Sequence, residues 1–138
     1  MPATPQTSPD TPAIEFIGVD KRFPGRNGAP DVLAARSVSL SIAPGEVVSI
    51  IGPSGCGKST LLNMGAGLSK PSAGTVKVGG EVVSGPNMHV AFMLQKDLLM
   101  PWRTIAQNVE FGLELRGVKA AERRAISTRL LAQCHLKG

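Results

Sequence analysis

Apolar and polar residues alternate along Ile14–Val19 and again along Val38–Ile42, the two-residue period of half-buried strands. The turn-rich stretch KRFPGRNGAPDV separates them. Pro44-Gly45 then turns the chain into an unbroken run of apolar or small residues, Val47–Ile51, the pattern of a strand buried on both faces. A helix is predicted from Lys58 to about Ala66, with Gly67 as its stop. KPSAG marks a further turn, two short strands follow at Thr75–Val78 and Glu81–Val83, and the compact apolar run His89–Leu94 predicts another buried strand. From Thr104 the period becomes helical. Thr104 is a candidate N-cap, with Ile105, Val109 and Leu113 following at helical spacing, and Gly117 interrupts. A second helix, Ala120–Leu136, places Ile126, Leu130 and Cys134 on one stripe with Leu131 beside it. No repeats occur. A strand-rich region around one helix, followed without a linker by helices, predicts an α/β core with a helical outgrowth.

Composition narrows the picture only a little. The 138 residues suffice for one small domain, and the hydrophobic content of 42% is ordinary for a globular chain. Net charge is +5, but only Arg123-Arg124 is a local basic pair. The five aromatics, Phe16, Phe23, Phe92, Trp102 and Phe111, are too scattered for a base-stacking platform, so nucleic acid is not an expected partner. Cys56 and Cys134 form no disulfide framework, and His89 and His135 stand alone, so no metal cluster is expected. No apolar run approaches the eighteen or so residues that span a bilayer. The opening MPATPQTSPDTPA lacks the layout of a signal peptide and reads as a disordered Pro/Thr-rich leader over 1–13.

The chemistry concentrates in GPSGCGKST, residues 52–60. Gly52, Gly57, Lys58 and Ser59 fill the phosphate-loop pattern G-x-x-x-x-G-K-[ST], between a predicted strand and a predicted helix. Gly52, Gly55 and Gly57 permit backbone angles that a Cβ would block. Successive amides can then curl into an anion-binding nest, and the start of the helix favours the same negative charge. Lys58 is expected to reach the β- and γ-phosphates as a point charge, and the Ser59 hydroxyl to ligate Mg²⁺. Cys56 and Thr60 would contribute mainly backbone N–H groups, while Pro53 stiffens the turn. The predicted ligand is Mg²⁺-bound ATP.

With these residues in view, 14–138 resembles in order the nucleotide-binding subunit of ABC transporters. LSIAPGEVVSI precedes the loop, GLSKPSAGTVKVGG follows it, and GPSGCGKST is itself a form common in that family. The resemblance implies a P-loop NTPase core with an antiparallel β-subdomain over 14–103 and the start of a helical subdomain over 104–138. In AFMLQKDLLMPW, Gln95 falls at the family's Q-loop glutamine, which implies an amide directed to Mg²⁺ or to the attacking water. Phe23 falls where the family places an aromatic that stacks on adenine; plain packing is the other reading of a lone Phe beside Pro-Gly. The nucleotide-binding set implied is thus Phe23 with Gly52, Pro53, Ser54, Gly55, Cys56, Gly57, Lys58, Ser59 and Thr60. The catalytic pair is Lys58 and Gln95, and the metal ligands are Ser59 and Gln95. Leu98–Val118 is similar to importers of nitrate, sulfonate, taurine and related small anions. The implied partners are a transmembrane permease subunit, a second nucleotide-binding subunit and, indirectly, a solute-binding protein. The implied place is the cytoplasmic face of the cell membrane, as a peripheral subunit. Trp102 fits either a core position or a groove for the membrane subunit.

The family's LSGGQ signature, its Walker B strand ending in Asp-Glu and its switch histidine do not occur in residues 1–138. Asp31 and Asp97 follow no four-residue apolar strand, and His89 precedes a predicted strand instead of ending one. The expectation is an incomplete core, truncated or the N-terminal part of a longer product, that binds nucleotide but hydrolyses it very slowly alone. Two alternatives stand beside it: a non-catalytic nucleotide-binding remnant, and another P-loop NTPase such as a small kinase, which would need a substrate lid.

Overall fold

The computed structural model describes residues 11–25, 27–87, 89–96 and 98–136, so the first ten residues of the expected leader and Asp97 lie outside it. The chain divides into two compact units, Met1–Phe92 and Met93–Gly138. The first contains a four-stranded sheet and one helix. Strands β1 (Ile14–Phe23), β2 (Val32–Ile42), β3 (Ala73–Val78) and β4 (Glu81–Val82) lie in the order β2-β1-β3-β4, antiparallel throughout. The expected antiparallel β-subdomain is therefore present.

β1 and β2 run longer than their alternation predicts, because each serves as the other's ladder from Ile14↔Ile42 to Phe23↔Val32. The register shifts between Phe16 and Val19, at Gly18 with φ +55°, and the Gly18 N–H turns to Ser39 Oγ at 3.0 Å. That bulge lets Phe16 and Val19, three residues apart, both enter the core. A second irregularity is held by Asp20, whose carboxylate accepts from the Ser37 N–H at 2.6 Å. Helix α1 (Lys58–Gly65) lays Leu61 and Met64 on Phe16, Val19 and Val76, which together form the core, and Gly65 is buried beside them. Gly65 permits the close approach: a Cβ there would come within 2.8 Å of Ile14 Cδ1.

The second unit carries α2 (Ile105–Leu115) and α3 (Ala120–Gln133). Thr104 caps α2 as expected, in a capping box: its hydroxyl accepts from Gln107 N at 3.2 Å, and Gln107 Oε1 accepts from Thr104 N at 2.9 Å. Asn108 ties down the preceding loop, accepting from Met100 N at 2.8 Å and donating to the Met100, Arg103 and Thr104 carbonyls. α1, α2 and α3 end alike. Gly67, Gly117 and His135 adopt left-handed φ, and the next N–H reaches back to Asn63, Leu113 and Leu131 respectively. Left-handed His135 therefore stops α3 at Gln133, short of the predicted Leu136.

Three expectations fail. Neither Val47–Ile51 nor His89–Leu94 forms a strand, and Val47, Ile51 and Met93 are more than 90% exposed. A doubly buried strand needs ladder partners on its flanks, and the four strands of the described residues pair only with one another. The third concerns the stripe on α3. Ile126 is half-buried, but Leu130 and Cys134 are exposed, and the most buried residue is Ser127. Its hydroxyl donates to Glu110 Oε1 at 2.9 Å, while Arg123 Nε lies 3.8 Å from Glu110 Oε2 and Arg123 Nη1 donates to the Val118 carbonyl at 2.9 Å. A polar cluster thus holds α2 to α3 where apolar packing was expected.

Met64 is wholly buried, so Met64→Ala should destabilise the first unit by about 2–5 kcal/mol, measured by urea unfolding. Arg103 donates to Glu114 at 2.6 Å, and this hydrogen bond and charge lower the Glu114 pKa below the ordinary carboxylate value. A lowered folded pKa gives stability that is present above the unfolded value and lost as pH falls through the folded one. Unfolding followed from neutral to acid pH should show this decline, shallower in Arg103→Met and in high salt.

Candidate functional site

The glycine loop is built from its junction with α1 outward. Gly57 is the N-cap of α1, left-handed at φ 94°, ψ 2°. A Cβ there would stand 2.2 Å from the Ala34 carbonyl oxygen of β2, so only glycine lets the loop lie this close to the sheet. Gly55 is also left-handed, at φ +80°, but faces open space. A Cβ on Gly52 would meet Cys56 Sγ at 2.9 Å. The bend between them is closed by a Cys56 N–H to Pro53 carbonyl bond of 3.4 Å.

Its electrostatics are one-sided. α1 has no side-chain N-cap and no acidic residue in its first turn, so among the described residues no side chain caps its positive end. Lys58 folds back into the loop, its Nζ donating to the Gly52 carbonyl at 2.7 Å and the Pro53 carbonyl at 2.6 Å, with Cys56 Sγ 3.4 Å away. An ammonium has three protons, so two go to carbonyls and the third to Cys56 Sγ, a weak acceptor that an anionic oxygen can displace. Amides, a helix start and an ammonium form a donor-only set, suited to a polyphosphate. A cleft of about 370 Å³ adjoins it, lined by Ala34, Arg36, Ile51, Cys56 and Lys58 among others.

Within one compact unit the structure brings together Gly52, Pro53, Cys56, Gly57 and Lys58; Ser54 and Gly55 form the exposed bend between them. Ser59 is exposed and Thr60 half-buried on the first turn of α1. Phe23 closes β1 in the same unit, 42% exposed, with Lys21 Nζ 5.0 Å from its ring centroid. Lys21 is a residue that sequence reasoning missed; its only signal was the two-residue spacing that puts it on Phe23's face of the strand. Gln95 lies exposed in the bend that opens the second unit. Trp102, 78% exposed, is no core residue.

A family model described as ABC transporter matches residues 35–137. Among curated relatives, the taurine import ATP-binding protein TauB of Chromobacterium violaceum is 48% identical over 124 residues, covering 90% of this chain and 46% of that protein. The nitrate import ATP-binding protein NrtD of Synechocystis is 42% identical over 110 residues, covering 80% of this chain and 41% of that one. The chain therefore spans less than half the length of these relatives. In solved structures, the dimeric ATP-binding cassette MJ0796, in a post-hydrolysis state bound to ADP and Pi, superposes with a TM-score of 0.79 at 30% identity, over 90% of this chain and 58% of that one.

The two left-handed glycines separate strain from collision. Gly55→Ala should cost about 1–2 kcal/mol of stability, the penalty of a Cβ in the left-handed region. Gly57→Ala should cost clearly more, because its Cβ also meets the Ala34 carbonyl. Urea unfolding of the two variants checks the order.

Proposed function

We propose for this chain, which belongs to the ABC transporter family, the role of the nucleotide-holding portion of an import ATPase that energises uptake of a small anion. ATP hydrolysis is the general activity of the family, and the residues present here account for gripping the nucleotide. The observation that carries this reading is the loop itself: two left-handed glycines, an uncapped helix start and the Lys58 ammonium folded into the bend. In this reading the loop amides take the phosphates, and a Lys58 proton leaves its weak acceptor Cys56 Sγ for a terminal phosphate oxygen.

Mg²⁺ fits the site as a companion of the phosphates. Among the described residues no group of three or more His, Cys, Asp or Glu side chains could hold a metal, while Ser59 offers one exposed hydroxyl at the helix start. When bound, the ion neutralises charge on the β- and γ-phosphate oxygens. Ser59 is its proposed ligand from the loop, and Gln95 its proposed ligand and water-orienting amide from the second unit. Phe23 is the proposed stacking surface for adenine.

The relatives' printed roles, taurine and nitrate import, support a small anion as transported solute. The dimeric cassette supports pairing with a second nucleotide-binding subunit. A permease subunit and, through it, a solute-binding protein complete the proposed assembly at the cytoplasmic face of the membrane. Among the described residues no helix is long and apolar enough to cross a membrane.

Lys58→Ala tests the reading. Charge-assisted hydrogen bonds contribute roughly 1.5–3 kcal/mol, so Mg·ATP affinity should fall about ten- to a hundredfold in calorimetric titration. Equal affinity in the variant and the wild type rejects the phosphate-loop assignment.

A further inference from the structure

The end of β1 is tied to the turn that follows α1. Ser72 N donates to the Asp20 carbonyl at 2.8 Å, Arg22 N donates to Ser72 Oγ at 2.9 Å, and Lys21 Nζ donates to the Lys70 carbonyl at 2.7 Å. The ammonium so anchored sits 5.0 Å from the Phe23 ring centroid. Lys21 is half-buried, whereas Phe23 keeps 42% of its surface exposed. α1 begins at the phosphate loop and ends five residues before Lys70, so the same short stretch of chain joins the loop to the support of the ring.

We propose that Lys21 is a positioning residue for base recognition: pinned to the Lys70 carbonyl, it holds the Phe23 ring and leaves the ring's exposed surface to stack on the nucleobase. This inference rests on the nucleotide reading of the glycine loop and on Phe23 as its stacking surface. Two physical effects support it. An unsupported, half-exposed phenyl at a strand end samples several rotamers, and stacking would have to select one; a cation fixed against the ring makes that selection beforehand. The cation also attracts the ring's negative face, an interaction that persists at partly exposed sites. Lys21 touches no phosphate in this scheme. It acts only through Phe23, and therefore only on ligands that carry a base.

The experiment compares Mg·ATP with Mg·tripolyphosphate, which has the phosphates and no base, by calorimetric titration of the whole chain. Lys21→Met should weaken ATP about three- to fivefold, the loss of one cation–π contact at a partly exposed site, and leave tripolyphosphate unchanged. Lys21→Arg, which keeps both the charge and a donor, should restore ATP affinity. Lys21→Gln, which keeps a donor without the charge, should behave as the Met variant and serves in its place if Met disturbs folding. The proposal is overturned if ATP and tripolyphosphate shift together, if neither shifts, or if Gln retains full ATP affinity. Wild type that binds both ligands equally would refute base stacking on Phe23, and with it the role of Lys21. Wild type that binds neither would refute the nucleotide reading itself.

Discussion

The absent side chain of Gly57 is the constraint on which the first unit turns. The Ala34 carbonyl of β2 stands where its Cβ would be, so the loop can meet the sheet at that point only through bare backbone. The left-handed φ of the same residue ends the loop and starts α1 in the direction that lays Leu61 and Met64 on Phe16, Val19 and Val76. One backbone position thus couples the bend that gathers amides to the packing that keeps the bend in place. Lys58, the next residue, uses the geometry from inside, bridging the Gly52 and Pro53 carbonyls.

The two units solve the packing problem differently. The first buries a small apolar core beneath a sheet with two irregularities, and the bulge at Gly18 is what allows Phe16 and Val19 to share that core. The second has a polar junction, with Ser127 and Glu110 hydrogen-bonded and Arg123 beside them, while Leu115, Leu130 and Trp102 remain exposed. Buried polar groups of this kind hold geometry only when each is satisfied, and Arg123 Nε has no hydrogen-bond partner within the described residues. α3 accordingly meets α2 through polar contacts at Glu110, and α2 itself is fixed by its cap, an ion pair and the loop before it. Thr104 with Gln107, Arg103 with Glu114, and Asn108 with the loop before the helix all act locally.

Local chemistry was legible in advance. The glycine bend, the Thr104 cap, the stops at Gly67 and Gly117 and the placing of α1, α2 and α3 follow from residue types at fixed short offsets. Those interactions close within a few residues and need no distant partner. The family resemblance was legible for the same reason, since it rests on ordered motifs. The exposed state of Val47–Ile51 and His89–Leu94 was not legible. An apolar run states that a segment can be buried, but the strand that must lie beside it is set by pairing between distant parts of a chain.

The same division runs through the site. Sequence alone determined where the glycine loop lies and that a helix starts at Lys58, because a bend running into a helix start is a property of contiguous chain. Tertiary structure decided that Gly57 must be bare, because the obstructing carbonyl belongs to Ala34, far away in sequence. It also decided that Lys21 stands over Phe23 with its ammonium on the Lys70 carbonyl, forty-nine residues away. Covalent neighbours constrain one another through dihedral angles; residues far apart meet only where the folded backbone crosses itself, and no local pattern encodes that crossing.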